Sequence, residues 1–441
     1  MQILALRRWA DLPDAERARL LARSTAAIFE PTLMASIEAI FRDVAARGDA
    51  AVRDATERFD RVRLGSDGLQ VPEAEIEHAH ASLAPALMAG IREAIANSRL
   101  FNEAQVRATA AGWREEVRPG FLVGEQVIPI PSAGLYVPAG KGSFPSVLCQ
   151  IGTPAVVAGV PEIMVLVPPM PSTGAVDPAT LAAAHELGLA NVFRANGPAG
   201  IAALTFGTAM FPRVRKIVGP GGPAVTAAQV LAQRFGTATN MLCGPSESLL
   251  IADATADPWR LALDLVNEAE HGADSAALVV TDSAALVAAL EPAVAAAVAS
   301  LPEPRRTYAT AVLGDLGGVL LFDTMDEAIT FANDYAAEHC QVATADTEAT
   351  LRSLRYAGEA LLGQDTPIGA SSYTIGIPAT LPTGGYAQLN GGVTARTFQT
   401  TTSIARLSPA ALAELAGPTI ALADHEGFPA HANAFRRRGL D

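Results

Sequence analysis

The 441-residue sequence predicts an α/β protein built on two doubly wound parallel sheets, with a helical N-terminal segment and a small helical C-terminal tail. Two observations carry this. From Leu122 onward, apolar runs of strand length alternate with helical stretches, the order that gives parallel strands with helices on both faces. The runs themselves are short and almost wholly apolar, as strands buried on both sides require. Half of the residues are hydrophobic (50%), so a sizeable core is available to the two or three domains that such a length suggests.

Residues 1–110 read as mostly helical, with charges on one face and Ala, Leu and Ile on the other. Ile163-Met164-Val165-Leu166-Val167 then reads as a buried strand, Thr180 to Glu186 as a helix, Asn191-Val192-Phe193 as a short strand and Ala199 to Phe206 as a helix. Val214 to Val218 is a strand that runs into Gly219-Pro220-Gly221-Gly222, and Pro223 suits the first position of the next helix. A second series follows: strand Leu249-Leu250-Ile251, a helix capped at Asp257-Pro258 and stopped at Gly272, strand Leu278-Val279-Val280, and a long alanine-rich helix. It ends with strand Val319-Leu320-Leu321 and a helix from about Thr324 to Tyr335. A polar seam near Gly244-Pro245-Ser246-Glu247 separates the two series. The Gly/Thr-rich sequence from Gly376 to Thr402 reads as loop, and the residues after it as the helical tail.

A net charge of -14 argues against nucleic acid or an anionic membrane surface as partner. Cys149, Cys243 and Cys340 are odd in number and far apart, which fits a reducing, cytoplasmic setting. The stretch 284–300 carries acidic and Pro interruptions and reads as a packed helix, not a membrane span.

Seven histidines occur, and three of the neighbourhoods that join them to acids suggest an active site. Glu338-His339 lies between a helix and a strand, a pairing suited to proton transfer at neutral pH. Glu268 and His271, three apart on a helix, share a face and can grip one metal. His425-Glu426 with His431 forms the third cluster. The Gly219 turn leaves backbone N–H groups available for phosphate at a helix N-terminus. Each signal taken alone has an ordinary alternative: a tight turn, a solvated helix end, a surface pair.

Taken together and in order, these pieces resemble the histidinol dehydrogenase family. The resemblance runs from Gly134-Leu135-Tyr136-Val137-Pro138-Ala139-Gly140-Lys141 through Pro154 to Gly159, Lys216 to Gly221 and Gly244 to Glu247. It continues through Glu270-His271, Glu338-His339, Leu381-Pro382-Thr383 and Glu426-Gly427 with His431, so it covers nearly the whole chain. It implies two Rossmann-like domains and a zinc enzyme that uses NAD to oxidise a primary alcohol through an aldehyde to a carboxylate, with L-histidinol the default substrate. By the same resemblance, Glu338 and His339 are the acid–base pair, and His271 and His431 are zinc ligands. Ser246, Glu426 and His339 contact substrate, and Tyr136 contacts the cofactor. It also implies a homodimer whose C-terminal tail reaches the partner subunit.

Several positions depart from the family pattern. The family's zinc-ligand glutamine aligns with Glu268 and its zinc-ligand aspartate with Ser372, so the carboxylate has moved to the helix. Glu268, His271 and His431 are therefore the expected metal set, and Asp365 is the weaker stand-in. Pro378-Ala379-Thr380 replaces an Asn-His pair, and two polar cofactor contacts align with Ala199 and Gly222. These losses point to a paralog acting on a different alcohol, such as a sulfonated propanediol, or to a metal-dependent enzyme that does not use NAD. The expected division is a helical segment 1–30, a discontinuous catalytic domain 31–135 and 248–393, a nucleotide-side domain 136–247, and a tail 394–441.

Overall fold

The structure is a computed structural model that describes residues 3–23, 29–109, 112–139 and 142–440. Strand β1 (Leu6–Arg8) and helix α1 (Asp14–Ala22) open the chain. Four helices follow: α2 (Pro31–Arg47), α3 (Asp49–Ala55), α4 (Glu73–Ser82) and α5 (Pro85–Thr109). After the hairpin of β2 (Trp113–Arg118) and β3 (Phe121–Pro129) come β4 (Ser132–Tyr136), α6 (Pro145–Val157), β5 (Glu162–Val167) and α7 (Pro178–Glu186). Next are β6 (Val192–Arg194), α8 (Gly197–Phe206), β7 (Lys216–Val218), α9 (Pro223–Ala232) and β8 (Ala238–Thr239). The second series is β9 (Glu247–Ala252), α10 (Pro258–Ala269), β10 (Ala276–Thr281), α11 (Ala284–Ala299), α12 (Arg305–Gly314), β11 (Gly318–Leu321) and α13 (Met325–Tyr335). It continues with β12 (His339–Ala343), α14 (Thr347–Ser353), β13 (Glu359–Leu362) and α15 (Ile368–Tyr373). The chain ends with β14 (Gln399–Leu407), α16 (Pro409–His425) and α17 (Pro429–Arg436).

Two parallel sheets organise these elements, as the alternation of strand and helix predicts. One has the order β1-β11-β10-β9-β12-β13 and the other β6-β5-β4-β7-β8. In each, the strand order reverses once: between β9 and β12 in the first sheet, and between β4 and β7 in the second. The carboxyl end of a parallel sheet at such a reversal is open, because neighbouring crossovers leave in opposite directions. Both sheets are covered on both faces. Leu261, Leu265, Leu290 and Val312 pack on one side of the first sheet, and Leu20, Phe331 and Tyr335 on the other.

The packing differs from the expected division in three places. Helices α2 to α5, grouped above with 248–393, cover the second sheet instead: Phe41 and Val44 join Leu204 and Ile217 on one face, and Met88 and Ile95 join Leu148 and Val165 on the other. A boundary at 135/136 would also cut β4, a central strand that pairs with both β5 and β7. Amphipathicity shows that a helix buries a face but not which sheet receives it. Within 1–30, α1 is helical as expected, but Leu6–Arg8 adds a parallel edge strand to the first sheet through pairing with β11, a long-range contact invisible in three residues. Met1, Gln2 and residues 24–28 lie outside the described residues. Finally, part of the expected loop 376–402 is strand. β14 pairs antiparallel with β3 over nine residues, from Gln399↔Pro129 to Leu407↔Phe121, so the tail begins as a strand and then becomes helical.

Local chemistry places the helix ends as the sequence predicts. Asp257 accepts from the backbone N–H groups of Trp259 and Arg260, capping α10 ahead of Pro258. Thr324 caps α13 through Glu327 N. No described helix is long and apolar enough to cross a membrane.

Asp60 follows α3, where burial pushes its carboxyl up to about 6 against a hydrogen bond from Asn196; its Oδ2 is buried without a partner among the described residues. A raised carboxyl favours the neutral form, so its contribution to stability is full below pH about 4 and is lost as pH rises through 6. Asp60→Asn is expected to melt above the wild type at pH 7.5 and with it at pH 4. Melting temperatures across that range check this; a constant offset between the two proteins would contradict it.

Candidate active site

A cleft of about 550 Å³ lies between the two sheets. Its nucleotide-side wall comes from the carboxyl ends of β4 and β7, the strands that flank the reversal in the second sheet. Tyr136 ends β4 and Pro138 and Ala139 follow it, while Pro220, Gly221 and Gly222 follow β7 and lead into α9 at Pro223. Gly219 makes this turn possible: its φ is 143°, and a Cβ there would collide with the Tyr136 carbonyl oxygen. Gly222, the N-cap of α9, faces open space. Gly140 and Lys141, at the end of the motif that starts at Gly134, lie outside the described residues.

The opposite wall comes from the amino ends of the first sheet's strands. Ser246 precedes β9, Ser275 precedes β10, and Glu338 precedes His339 at the start of β12. Because β9, β10 and β12 are parallel neighbours, their amino ends converge on one spot. Helix α10 returns to that edge and delivers Glu268, His271 and Glu270. Side-chain ligand atoms of Glu268, Glu338 and His339 lie within 4.8 Å of one another, all three residues being buried.

Each of these groups is held by identifiable partners. Glu338 Oε2 accepts from the Glu247 backbone N–H at 2.9 Å, which leaves Oε1 3.9 Å from His339 Nε2. Burial pushes the Glu338 carboxyl well up, with the nearby Glu268 charge adding to it and His339 opposing. On His339, burial works against the charged form, but a hydrogen bond from Nδ1 to Glu359 and the charges of Glu338 and Glu268 win and raise the imidazole to about 10. Glu268 Oε1 is 3.3 Å from His271 Nδ1, while Glu268 Oε2 is buried with no partner among the described residues.

Glu359 was missed in the sequence. It begins β13, pairs in register with His339 across the sheet, and is buried; its second oxygen accepts from Ser371 Oγ. Its signal was an acid in an otherwise apolar strand, Glu359-Ala360-Leu361-Leu362. Arg23 and Gln150 were missed too. Arg23, nearly buried, ion-pairs with Glu247 and stacks on Tyr335, behind the strand that supports Glu338. Gln150 donates to the Ser372 carbonyl at 2.9 Å and accepts from Ala379 N at 2.6 Å, which ties α15 to the 378–380 wall.

Of the residues singled out in the sequence, Tyr136, Gly222, Ser246, Glu268, His271, Glu338, His339 and Ser372 all line the cleft. Ser372 Oγ is turned back to the Ile368 carbonyl, 3.1 Å away. Ala199 does not reach the cleft: it is fully buried in the first turn of α8, where its N–H is capped by Asn196. Asp365 is engaged by Arg260 at 2.6 Å on the surface, away from Glu268's cleft. Glu426 and His431 are exposed on the C-terminal helices and do not enter the cleft of their own chain.

A sequence profile described as histidinol dehydrogenase matches residues 24–439. The chain is 39% identical over 427 residues to a histidinol dehydrogenase homolog from Cereibacter sphaeroides, covering 96% of each. It is 38% identical over 405 residues to a histidinol dehydrogenase from Synechocystis, covering 92% of each. A crystal structure of histidinol dehydrogenase from Elizabethkingia anophelis superposes with a TM-score of 0.91 at 30% identity, over 98% of this chain and 97% of that one. With the whole length, the fold and the relatives in agreement, this chain is an oxidoreductase that belongs to the histidinol dehydrogenase family.

Proposed function

We propose that the chain is an NAD- and zinc-dependent dehydrogenase of a primary alcohol, with L-histidinol as default substrate and the carboxylate as final product. The observation that carries this reading is the position of the cleft. It joins the carboxyl edge of one parallel sheet at its strand reversal, where nucleotides are commonly held, to a buried acid–imidazole cluster at the amino edge of the other.

The residues present fit both groups. For zinc, Glu268 offers a buried oxygen with no partner among the described residues, beside His271. Ser372 is turned away, so the carboxylate on α10 takes the place of one on α15. In a homodimer, His431 of the partner subunit would complete the zinc set, and Glu426 on the same C-terminal tail would contact substrate. For NAD, the free N-terminus of α9 and the open face at Gly222 suit a pyrophosphate, and Tyr136 borders it. When bound, zinc supplies Lewis acidity to the alcohol oxygen and offsets the carboxylate charge that keeps His339 protonated, and NAD accepts the hydride.

The chain's own residues then have separable tasks. Glu359 fixes the imidazole through Nδ1, so the proton that His339 exchanges with substrate is the one at Nε2, which faces the cleft. Glu338, held by the Glu247 N–H, presents Oε1 beside it and activates water in the second oxidation. Ser246 contacts the substrate's polar end. The setting is cytoplasmic, with all three cysteines buried and free.

A second substrate has support in one observation: Ala379 and Thr380 line the cleft, so that wall offers a methyl group and a hydroxyl and no imidazole to a substrate ring. The deciding assay is NADH formation by the zinc-loaded protein with L-histidinol. About two NADH per histidinol is the expected result for a four-electron oxidation. No turnover, with NAD still raising the melting temperature, would replace histidinol by another alcohol such as a sulfonated propanediol. No turnover and no effect of NAD would overturn the dehydrogenase reading in favour of NAD-independent chemistry.

A further inference from the structure

A second group of metal-binding side chains lies on the outer surface of the second sheet's helices, distinct from the residues of the cleft. His80 projects from α4, and His185 and Glu186 end α7. The two imidazole rings stack with centroids 3.9 Å apart and planes 26° from parallel. His80 Nε2 is 2.7 Å from Glu186 Oε1, and one ligand atom from each of the three residues lies within 4.8 Å of the others.

We propose that His80, His185 and Glu186 form a site for a divalent transition metal, Zn²⁺ or a close relative, which staples α4 to α7. Two neutral imidazoles and one carboxylate are the donor set these ions prefer, with remaining positions left to water. A tetrahedral ion with bonds of about 2.0–2.1 Å needs its donors roughly 3.3 Å apart. The present spacing therefore closes onto an ion by small side-chain rotations. Glu186 is already arranged for it. Arg92 donates to its Oε1 through Nε at 3.1 Å and Nη2 at 2.8 Å, and His80 approaches that same oxygen, while no described side chain bonds to Oε2.

The gain falls where the fold is thin. Helix α4 buries only Ile76 and Ala79 among its ten residues, and it packs chiefly on α7. A cation joined to both helices would hold them together without further apolar contact.

The test is equilibrium dialysis of the full-length protein against Zn²⁺, combined with amide hydrogen exchange. The wild type is expected to bind one equivalent more than a His80→Gln/His185→Gln protein, and Zn²⁺ should slow exchange across 73–82 and 178–186. A Glu268→Gln protein should keep that slowing, because its lesion is in the cleft. Equal zinc uptake by wild type and the double variant, or slowing of α4 and α7 that survives in the double variant, would overturn the proposal while leaving the cleft reading intact.

Discussion

Glu268→Gln is expected to lower zinc affinity at the cleft by at least about 100-fold and activity with it, the upper range seen even for residues that only support metal ligands. The reason is local. Glu268 is 1% exposed, and its Oε2 has no partner among the described residues, so in the metal-free chain it is a buried carboxylate with half its bonding capacity unused. A glutamine keeps the shape and loses the charge that draws the cation. The same change should raise the melting temperature of the metal-free protein, since a neutral amide is less costly to bury, while abolishing most of the stabilisation that zinc confers. Zinc content and paired melts with and without metal measure both effects. Wild-type zinc content in the variant would move the metal elsewhere.

The second large effect is expected at Glu359. Glu359→Gln keeps an oxygen for the His339 Nδ1 proton but removes the charge that supports the imidazolium, and kcat should fall by about 10²-fold, within the range for general acid–base groups. Glu359→Ala should fall further, because it also leaves His339 Nδ1 and Ser371 Oγ without their acceptor; an unmet buried donor costs about 1–3 kcal/mol of stability. Binding of NAD, on the other wall of the cleft, should be unchanged in both. Steady-state kinetics and NAD-dependent melts separate these outcomes. A Glu359→Gln protein with wild-type kcat would reduce Glu359 to a packing residue.

Much of the frame was legible in sequence because it rests on local rules. Apolar runs such as Ile163 to Val167 and Leu249 to Ile251 have one stable fate, a strand covered on both faces. Asp257-Pro258 and Thr324 announce helix starts through their own side chains. Glu268 and His271 are joined by helical periodicity, and Glu338 and His339 are adjacent, so each pair was visible before folding.

What joined the pairs was not local. Glu268 meets His339 because α10 returns to the amino edge of a sheet in which β9, β10 and β12 happen to be neighbours. Glu359 reaches Nδ1 because β13 pairs in register with β12, twenty residues away in sequence. The placement of α2 to α5 on the second sheet, the edge strand at Leu6 and the nine-residue pairing of β14 with β3 are likewise matters of partner choice. Ala199 shows the reverse: alignment placed it at a cofactor, and packing placed it in the core. The sequence by itself determined the buried apolar strands, the helices that alternate with them, their caps and the acid–imidazole pairs, because periodicity and side-chain capping act over a few residues. Tertiary structure alone decided which edges converge and which acid orients His339, because strand register and helix docking are set by contacts between residues far apart in the chain.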